Sequence, residues 1–439
     1  MPPGDGWLDS PVDDPDSPEK DPMPMSGGER TRQKVISALA EKPALLLADE
    51  PTSHLDAEAV EWLEKELSRY PGALLLISHD RALLDAVCSK ILEVENGQIT
   101  VYQGNYSDYR RQKEEQLERS RFEYEQYVAE KKRLTQVVMD KKQKARSMEK
   151  PPKGMSPSEA RLISNKQKAN SARAKVEKQA RAIQSRIEKL PKKEKPVELP
   201  TVQFDLDVYR PIEGKNALRL ERLSKRFGKK ELFHQLTCTI PSGKKVAVLG
   251  KNGAGKSTLL QMIASQAAGV HQAPLAKIGY FHQQLANLDE ERSILNNVQG
   301  SSPYSETLIR TVLARLLFPR EAVYKPVRVL SGGEKVKVAL AKVFLSDANL
   351  LLLDEPTNFL DIFTREELEK VLRAYPGTIL FASHDRWFIR KLADHLLILN
   401  EGTATYFTGN YDEYLESQQR KAALPNRNEK SVCCLWKRS

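Results

Sequence analysis

The nine residues from Gly250 to Thr258 read GKNGAGKST, and they constrain the fold of this chain more than any other stretch. They fit the pattern G-x-x-x-x-G-K-[ST], with an apolar run at 246–249 before them and a helical pattern at 258–264 after them. Glycines at such a strand-to-helix turn let backbone N–H groups converge on phosphate oxygens. The stretch predicts a phosphate-binding loop in an α/β domain; taken alone, it leaves open a turn that merely connects a strand to a helix.

Four short motifs occur twice in the chain at a constant separation. The first copy carries SGGE, DEPT, SHD and GNY, which begin at Ser26, Asp49, Ser78 and Gly104. The second copy carries the same motifs 305 positions later (331 − 26 = 305), beginning at Ser331, Asp354, Ser383 and Gly409. The constant separation indicates an internal duplication. The phosphate-binding loop lies 81 residues ahead of the second SGGE (331 − 250 = 81), and only residues 1–25 precede the first, so the first copy has no such loop.

Two long helical patterns lie between the copies, at 110–140 and 158–190. Apolar residues recur in them at spacings of three, four and seven, which predicts an antiparallel coiled-coil hairpin. Pro151, Pro152, Gly154 and Pro157 mark its tip. Phe122, Tyr124 and Tyr127 have the spacing of the hairpin seam, and stacking on nucleic-acid bases is the less favoured role for them.

Positive charge is concentrated in this middle segment. Residues 110–195 hold 26 Lys and Arg against 12 Asp and Glu, an excess of 14 (26 − 12), although the whole chain has a net charge of +10. Such an asymmetry predicts a polyanionic partner, and a solvated charged helix pair is the alternative. The basic residues expected to contact RNA phosphates lie around the tip: Lys141, Lys142, Lys144, Arg146, Lys150, Lys153 and Arg161.

These patterns divide the chain into five segments. They are a disordered leader at 1–25, a partial domain at 26–108, the basic hairpin at 109–196, a complete domain at 197–420 and a polar tail at 421–439. No apolar run approaches the 18 or so residues that span a bilayer, and the acidic, proline-rich start is unlike a secretory signal. The four cysteines lack metal-ligand spacing. We therefore expect a cytoplasmic protein that has no membrane partner.

The ordered motifs, with LSGGE and LLLLDEPT in the second copy, closely resemble those of ABC-type ATPases. Two such units joined by a basic hairpin resemble the ABC-F family of ribosome-binding translation factors. The tip sequence KPPKGMSPSEARL is similar to that of the antibiotic-resistance members, which protect ribosomes from drugs. The resemblance implies an α/β fold with P-loop nucleotide-binding domains, one complete and one partial, joined by the helical hairpin.

The resemblance also implies a site for ATP and Mg²⁺. The ATP-binding residues it implies are Gly250, Asn252, Gly253, Gly255, Lys256, Ser257, Thr258 and Phe227, completed by Ser26, Gly27 and Gly28 of the first copy. Ser257, Asp354 and Gln283 would serve Mg²⁺, with Gln283 also sensing the γ-phosphate. Glu355 would be the general base that activates water, and His384 would contact the γ-phosphate.

A second, degenerate site would combine Asp49, Glu50 and His79 with Ser331, Gly332 and Gly333. It has no phosphate-binding loop, so we expect it to bind ATP poorly and hydrolysis to be impaired. A chain truncated at its N-terminus is the favoured explanation; a separate chain that completes the site and a degenerate family member are the alternatives.

The leading hypothesis is an ATPase that binds the ribosome, with rRNA and P-site tRNA as its partners. Its hairpin would enter near the peptidyl-transferase centre, and ribosomal protection against antibiotics is the expected role. A soluble ATPase subunit of a transporter and a non-hydrolysing or non-functional fragment are the competing hypotheses.

Overall fold

The computed structural model describes residues 27–52, 55, 57–95, 97–147, 166–196, 202, 204, 209–228, 230–282, 288–318, 321–400 and 402–423. Their contacts divide the chain into two compact units. One unit comprises residues up to Val87 together with residues from 203 onward, and the other runs from Cys88 to Val202. These compact units meet at 87/88 and 202/203. The predicted segment boundaries at 108/109 and 196/197 stay predictions.

The first unit contains both the partial and the complete copy. The partial copy consists of α1 (Gly27–Ala40), β1 (Leu45–Asp49), α2 (Ala57–Ser68), β2 (Ala73–Ile77) and α3 (Arg81–Val87). The complete copy begins with β5 (Asn216–Phe227), β6 (Lys230–Pro241), β7 (Lys245–Leu249), α6 (Lys256–Ala264), β8 (Val270–Gln272), β9 (Ile278–Phe281), α7 (Ile294–Gln299) and α8 (Glu306–Arg315). It continues with α9 (Gly332–Phe344), β10 (Leu350–Asp354), α10 (Ile362–Ala374), β11 (Thr378–Ala382), α11 (Arg386–Leu392), β12 (His395–Asn400), β13 (Thr403–Phe407) and α12 (Tyr411–Ala423).

A six-stranded sheet forms the centre of the complete copy, in the order β13-β12-β7-β11-β10-β9. All its neighbouring strands run parallel except β12 and β13. All five residues of β10 and of β11 are buried. Strands covered on both faces are expected to be apolar throughout, which explains the unbroken run Leu350–Leu353. A smaller antiparallel sheet, β6-β5-β8, packs its apolar residues against the same core.

The partial copy repeats the register of the complete one. Leu45 of β1 pairs with Ala73 of β2, as Leu350 pairs with Thr378 in β10 and β11. In the described residues, β1 and β2 form a sheet of two strands only. Leu47 is consequently 66% exposed, whereas its equivalent Leu352 is completely buried. The packing that buries these strands in the complete copy has no counterpart in the described part of the partial copy.

The second unit comprises β3 (Lys90–Glu95), β4 (Gln98–Gln103), α4 (Tyr106–Ser147) and α5 (Lys166–Glu188). Leu134 and Val138 of α4 and Ala180 of α5 are buried between the helices. Lys141 donates a hydrogen bond to Gln179 (2.7 Å), and Glu130, earlier in α4, lies 3.8 Å from Arg186, later in α5. The two helices therefore run antiparallel, as the spacing predicted. The buried seam does not extend over the whole of the predicted first helix (110–140), since Leu117 in that range is 50% exposed.

The hairpin β3-β4 belongs to this second unit because its side chains hold the start of α4. Glu93 of β3 accepts hydrogen bonds from Tyr109 (2.7 Å) and Lys113 (2.6 Å). The rings of Tyr102 and Tyr109 meet edge to face, with their centroids 4.9 Å apart. Although partial burial opposes it, bonding to Lys113 and Tyr109 lowers the pKa of Glu93, so this carboxylate stays charged. These contacts join the β3-β4 hairpin to α4 within one unit.

The GNY motif begins a helix in both copies. The side chain of Asn105 accepts a hydrogen bond from the backbone of Asp108 (3.0 Å), and Asn410 accepts one from Glu413 (3.0 Å). Each Asn thereby caps the N-terminus of its helix. The long helix α4 therefore begins at Tyr106, four residues before the predicted start at Arg110, and it ends at Ser147. Within the described residues no helix combines the length and apolarity needed to cross a bilayer.

Candidate active site

The predicted phosphate-binding loop lies between β7 and α6, as its sequence context indicated. Gly255 precedes the helix with φ of 97°, a left-handed conformation. A Cβ atom at this position would lie 2.7 Å from the ring of Phe233. Both the backbone angle and the close approach of Phe233 therefore require glycine here.

Lys256 lies within this loop and is only 8% exposed. Its Nζ donates hydrogen bonds to the backbone carbonyls of Gly250 (2.9 Å) and Lys251 (3.3 Å). A buried ammonium group needs such partners, because burial without them is costly. The loop thus holds a positive charge at the place where phosphate oxygens are expected to bind.

Ser257, at the start of α6, donates a hydrogen bond from Oγ to Oδ1 of Asp354 (3.0 Å). Asp354 is buried at the carboxyl end of β10. Burial raises its pKa, and the hydrogen bond from Ser257 opposes that shift. A hydroxyl oxygen beside a carboxylate is the oxygen-donor set that Mg²⁺ prefers, so these two residues fit the predicted metal role.

Glu355 follows Asp354 in a left-handed conformation, with φ of 48°. Its Oε2 accepts a hydrogen bond from the backbone N–H of His384 (3.2 Å), and its Oε1 lies 3.4 Å from Nε2 of the His384 ring. Oε1 is buried and accepts no hydrogen bond from any residue that the structure describes. Burial raises the pKa of Glu355 to about 7, although Lys256 and the His384 N–H lower it. A carboxylate with an available oxygen and a pKa near neutrality suits a general base.

The first copy contains an equivalent pair, Glu50 and His79. Glu50 has φ of 44°, and its Oε1 lies 3.7 Å from Nε2 of His79. Its backbone N–H donates to Ile77 (2.8 Å), as that of Glu355 donates to Ala382 (2.9 Å). The duplication therefore preserved the local geometry of this pair, including its strained backbone.

One cavity of about 610 Å³ brings the two pairs together with the phosphate-binding loop. Ligand sites usually measure roughly 300 to 1,000 Å³, so the volume suits a nucleotide. The first copy contributes Glu50, Thr52, Leu55, Val60, His79 and Asp80 to its walls. The second contributes Asn252, Gly253, Gly255, Lys256, Ser257, Thr258, Glu355, Thr357, Asn358, Phe359, Arg365, His384 and Asp385. The buried ammonium of Lys256, the Ser257 hydroxyl and the buried Oε1 of Glu355 fit a bound ATP with Mg²⁺.

Not every predicted residue is among those that line the described cavity. Phe227 is 56% exposed and is not among the described residues that line the cavity. Gly27 and Gly28 begin α1, and their part in the site stays a prediction. Ser26 and Gln283 lie outside the described residues.

Only part of the predicted degenerate site lines the cavity that the structure describes. Glu50 and His79 line the cavity of the phosphate-binding loop, whereas Asp49 and the residues Ser331, Gly332 and Gly333 are not in the described lining. Ser331 caps α9, and its backbone N–H and Oγ both bond to Glu334 (2.8 Å each). The pairing of Glu50 and His79 with Ser331, Gly332 and Gly333 therefore stays a prediction.

The sequence analysis missed a cluster of charges next to the cavity. Arg81 of the first copy forms ion pairs with Glu369 and with Asp385 (3.2 Å), both in the second copy. Arg365 bonds Asp385 (3.4 Å) and the backbone carbonyl of His79 (3.0 Å). Asp80 and Asp385 follow the two histidines at the 305-residue separation, which was the signal available in the sequence.

The basic residues predicted to bind RNA belong to the second unit. Lys142, Lys144 and Arg146 are exposed on the last turns of α4. Lys141 is half-buried, because it bonds Gln179. Lys150, Lys153 and Arg161 lie outside the described residues.

Comparisons with known proteins agree with this geometry. Two family models, both described as ABC transporter, match residues 233–358 and 92–204. The erythromycin resistance ATP-binding protein MsrA of Staphylococcus epidermidis is 38% identical over 84% of this chain and 76% of its own length. The ribosome protection protein VmlR of Bacillus subtilis is 33% identical over 87% of this chain and 70% of its own length.

This chain spans 60% of the length of another relative, which is 34% identical to it. Among solved structures, one titled RNase-L Inhibitor matches with a TM-score of 0.57 and 21% identity, over 90% of this chain and 67% of that one. That likeness shows the α/β fold of an ABC-type nucleotide-binding domain. With relatives more than 30% identical over two thirds or more of their length, this chain belongs to the ABC-F family of ATPases.

Proposed function

We propose that this chain binds ATP with Mg²⁺ in the cavity beside the phosphate-binding loop, hydrolyses it and acts on the ribosome through its basic hairpin. The observation that carries the proposal is the single cavity that gathers Lys256, Ser257 and Glu355. Membership of the ABC-F family supports the ATPase part of the proposal. The name of VmlR, a ribosome protection protein, supports the ribosomal part.

In the proposed reaction, the loop N–H groups and Lys256 bind the phosphates, and Ser257 with Asp354 would hold Mg²⁺, which neutralises phosphate charge when bound. Glu355 accepts a proton from the attacking water, because its Oε1 is buried and available. His384 lies beside that oxygen, 3.4 Å away, and would contact the terminal phosphate. A raised pKa makes Glu355 a stronger base than an exposed carboxylate once it has lost its proton.

The hairpin is the proposed ribosome-binding element. Its exposed Lys142, Lys144 and Arg146 would contact RNA phosphates, and Lys150, Lys153 and Arg161 complete the basic set in the sequence. Entry near the peptidyl-transferase centre and protection against antibiotics belong to the same proposal. They are supported by the similarity to MsrA, whose name records erythromycin resistance.

Sedimentation with purified ribosomes tests the proposal. We expect the wild-type chain to sediment with ribosomes when ATP is present, and Glu355→Gln to remain bound because it retains ATP. Binding that ignores nucleotide in both proteins, or no binding at all, would overturn the link between ATP and the ribosome.

A triple variant tests the hairpin separately. Replacing Lys142, Lys144 and Arg146 with Gln should weaken ribosome binding and reduce its dependence on salt concentration, because fewer counterions are released. The matched control replaces three exposed cations of the ATPase unit, Arg226, Arg373 and Lys391. Equal loss of binding in both triple variants would contradict a specific role for the hairpin tip.

A further inference from the structure

The charged cluster beside the cavity links the first copy to the turn that carries His384. Asp385 is at its centre, with a side chain only 9% exposed. Its Oδ2 lies 3.2 Å from Arg81 and 3.4 Å from Arg365, while its Oδ1 accepts the backbone N–H of Phe388 (2.9 Å). One carboxylate therefore caps α11 and binds two arginines.

Arg365 makes a further contact that closes this link. Its Nη1 donates to the carbonyl of His79 in the first copy (3.0 Å), and its Nε donates to the carbonyl of Leu360 (2.9 Å). The side chain is only 14% exposed, so its position is restricted by packing as well as by hydrogen bonds. The guanidinium group thus joins the turn that contains His79 in the first copy to the turn that contains His384 and Asp385 in the second copy.

The equivalent cluster around Asp80 is different. Arg365 corresponds to Val60 in the first copy (365 − 305 = 60), which has no charge. The side chain of Asp80 accepts the backbone N–H groups of Ala82 (3.0 Å) and Leu83 (3.2 Å), and Arg386 attracts it without forming an ion pair among the described residues. Among the described residues, Asp385 is therefore bound by two arginines and its equivalent Asp80 is not. Asp385 belongs to the copy that has the phosphate-binding loop.

We propose that Arg81 and Arg365 are positioning residues for His384, which they hold in place through the carboxylate of Asp385. The inference rests on the proposed ATP hydrolysis and adds that the first copy controls the reacting side of the site. His384 is held on both sides, since its own N–H bonds Glu355 and the next residue is bound by the two arginines. Loss of either arginine should allow the turn to move while leaving the phosphate-binding loop intact.

Kinetics of Arg365→Met test the proposal. We expect kcat for ATP hydrolysis to fall at least about tenfold and KM to change less than about twofold, because the lost contact acts on the reacting groups. Arg365→Lys should recover most of the activity, since one ammonium can still reach Asp385. The control is Glu64→Gln, which removes an ion pair with Arg386 between the same two copies without touching Asp385. This control should keep at least about half of the wild-type kcat.

An unchanged kcat in Arg365→Met, or an equal loss in Glu64→Gln, would overturn the proposal. Hydrogen exchange of nucleotide-free protein provides a readout that needs no activity. The amides of residues 384–388 should exchange faster in Arg365→Met than in the wild type and should be unaffected in Glu64→Gln. If the wild-type chain hydrolyses no ATP, the proposed function fails, and the exchange rates still decide whether the arginines hold this turn.

Discussion

Arg81 in the first copy forms a buried ion pair with Glu369 in the second, and the chain repeats this pair in the opposite direction. Arg386, 305 residues after Arg81, pairs with Glu64, 305 residues before Glu369. Each copy therefore gives the other the same arginine and the same glutamate, as two subunits do across a twofold axis. The two copies therefore associate through contacts that are equivalent in both directions.

The buried ion pair predicts a large loss of stability in Arg81→Met. Arg81 is 3% exposed, and its removal leaves the carboxylates of Glu369 and Asp385 buried with one cation fewer. We expect a loss of about 3 to 5 kcal/mol in urea unfolding, as found when one partner of a buried pair is removed. Arg390→Met is the control, because Arg390 and Asp412 form an exposed pair (2.7 Å) that is worth about 1 kcal/mol or less. Equal losses in both variants would show that the Arg81 pair is no more important than a surface contact.

The raised pKa of Glu355 predicts that the difference in stability between the wild type and Glu355→Gln depends on pH. Its pKa is raised from 4.5 to about 7, so folding favours the protonated carboxyl group. This contribution is complete below pH 4.5 and is lost as the pH rises through 7. Glu355→Gln, which resembles the protonated form, should match the wild type at pH 4 and exceed it by about 3 kcal/mol at pH 8. Unfolding without nucleotide or Mg²⁺ measures this, and a difference independent of pH would contradict it.

Lys256 predicts a specific loss of nucleotide affinity. Its ammonium is held inside the phosphate-binding loop by two carbonyls, so Lys256→Met should weaken ATP binding by at least about tenfold. Lys251→Met is the matched control, because Lys251 is exposed and pairs with Glu58 (2.6 Å); a change below about threefold is expected. Titration with a fluorescent ATP analogue measures both variants. Similar affinities for the two would indicate that the loop lysine does not contact phosphate.

The asparagine caps predict paired effects at two helix starts. Asn105→Ala and Asn410→Ala should each cost about 0.5 to 2 kcal/mol, because a backbone N–H loses its partner. Asn105→Ser, which can still cap, should lose much less. Hydrogen exchange at the first turns of α4 and α12 reports the fraying directly. Unchanged protection in both alanine variants would mean that the caps do not hold these helices.

The sequence alone predicted the fold class, the duplication and several residues of the proposed ATP site. Gly255, Lys256 and Ser257 are contiguous, so one local pattern revealed the loop, and Glu355 with His384 followed from the repeated motifs. The hairpin was predicted from spacing, although α4 begins before the predicted limit, where Asn105 caps it, and ends beyond the other limit at Ser147. A local sequence pattern was sufficient for prediction wherever a function depends on residues that are neighbours in the sequence.

Contacts between the copies could not be predicted in this way. Arg81 and Glu369 are 288 residues apart, and only the packed chain brings them together. The same holds for Arg365, which reaches both Asp385 and the carbonyl of His79. Sequence alone determined which chemical groups this protein carries, because motifs are local. The tertiary structure decided which of them share one cavity, because the burial and pairing of charges depend on how distant segments pack.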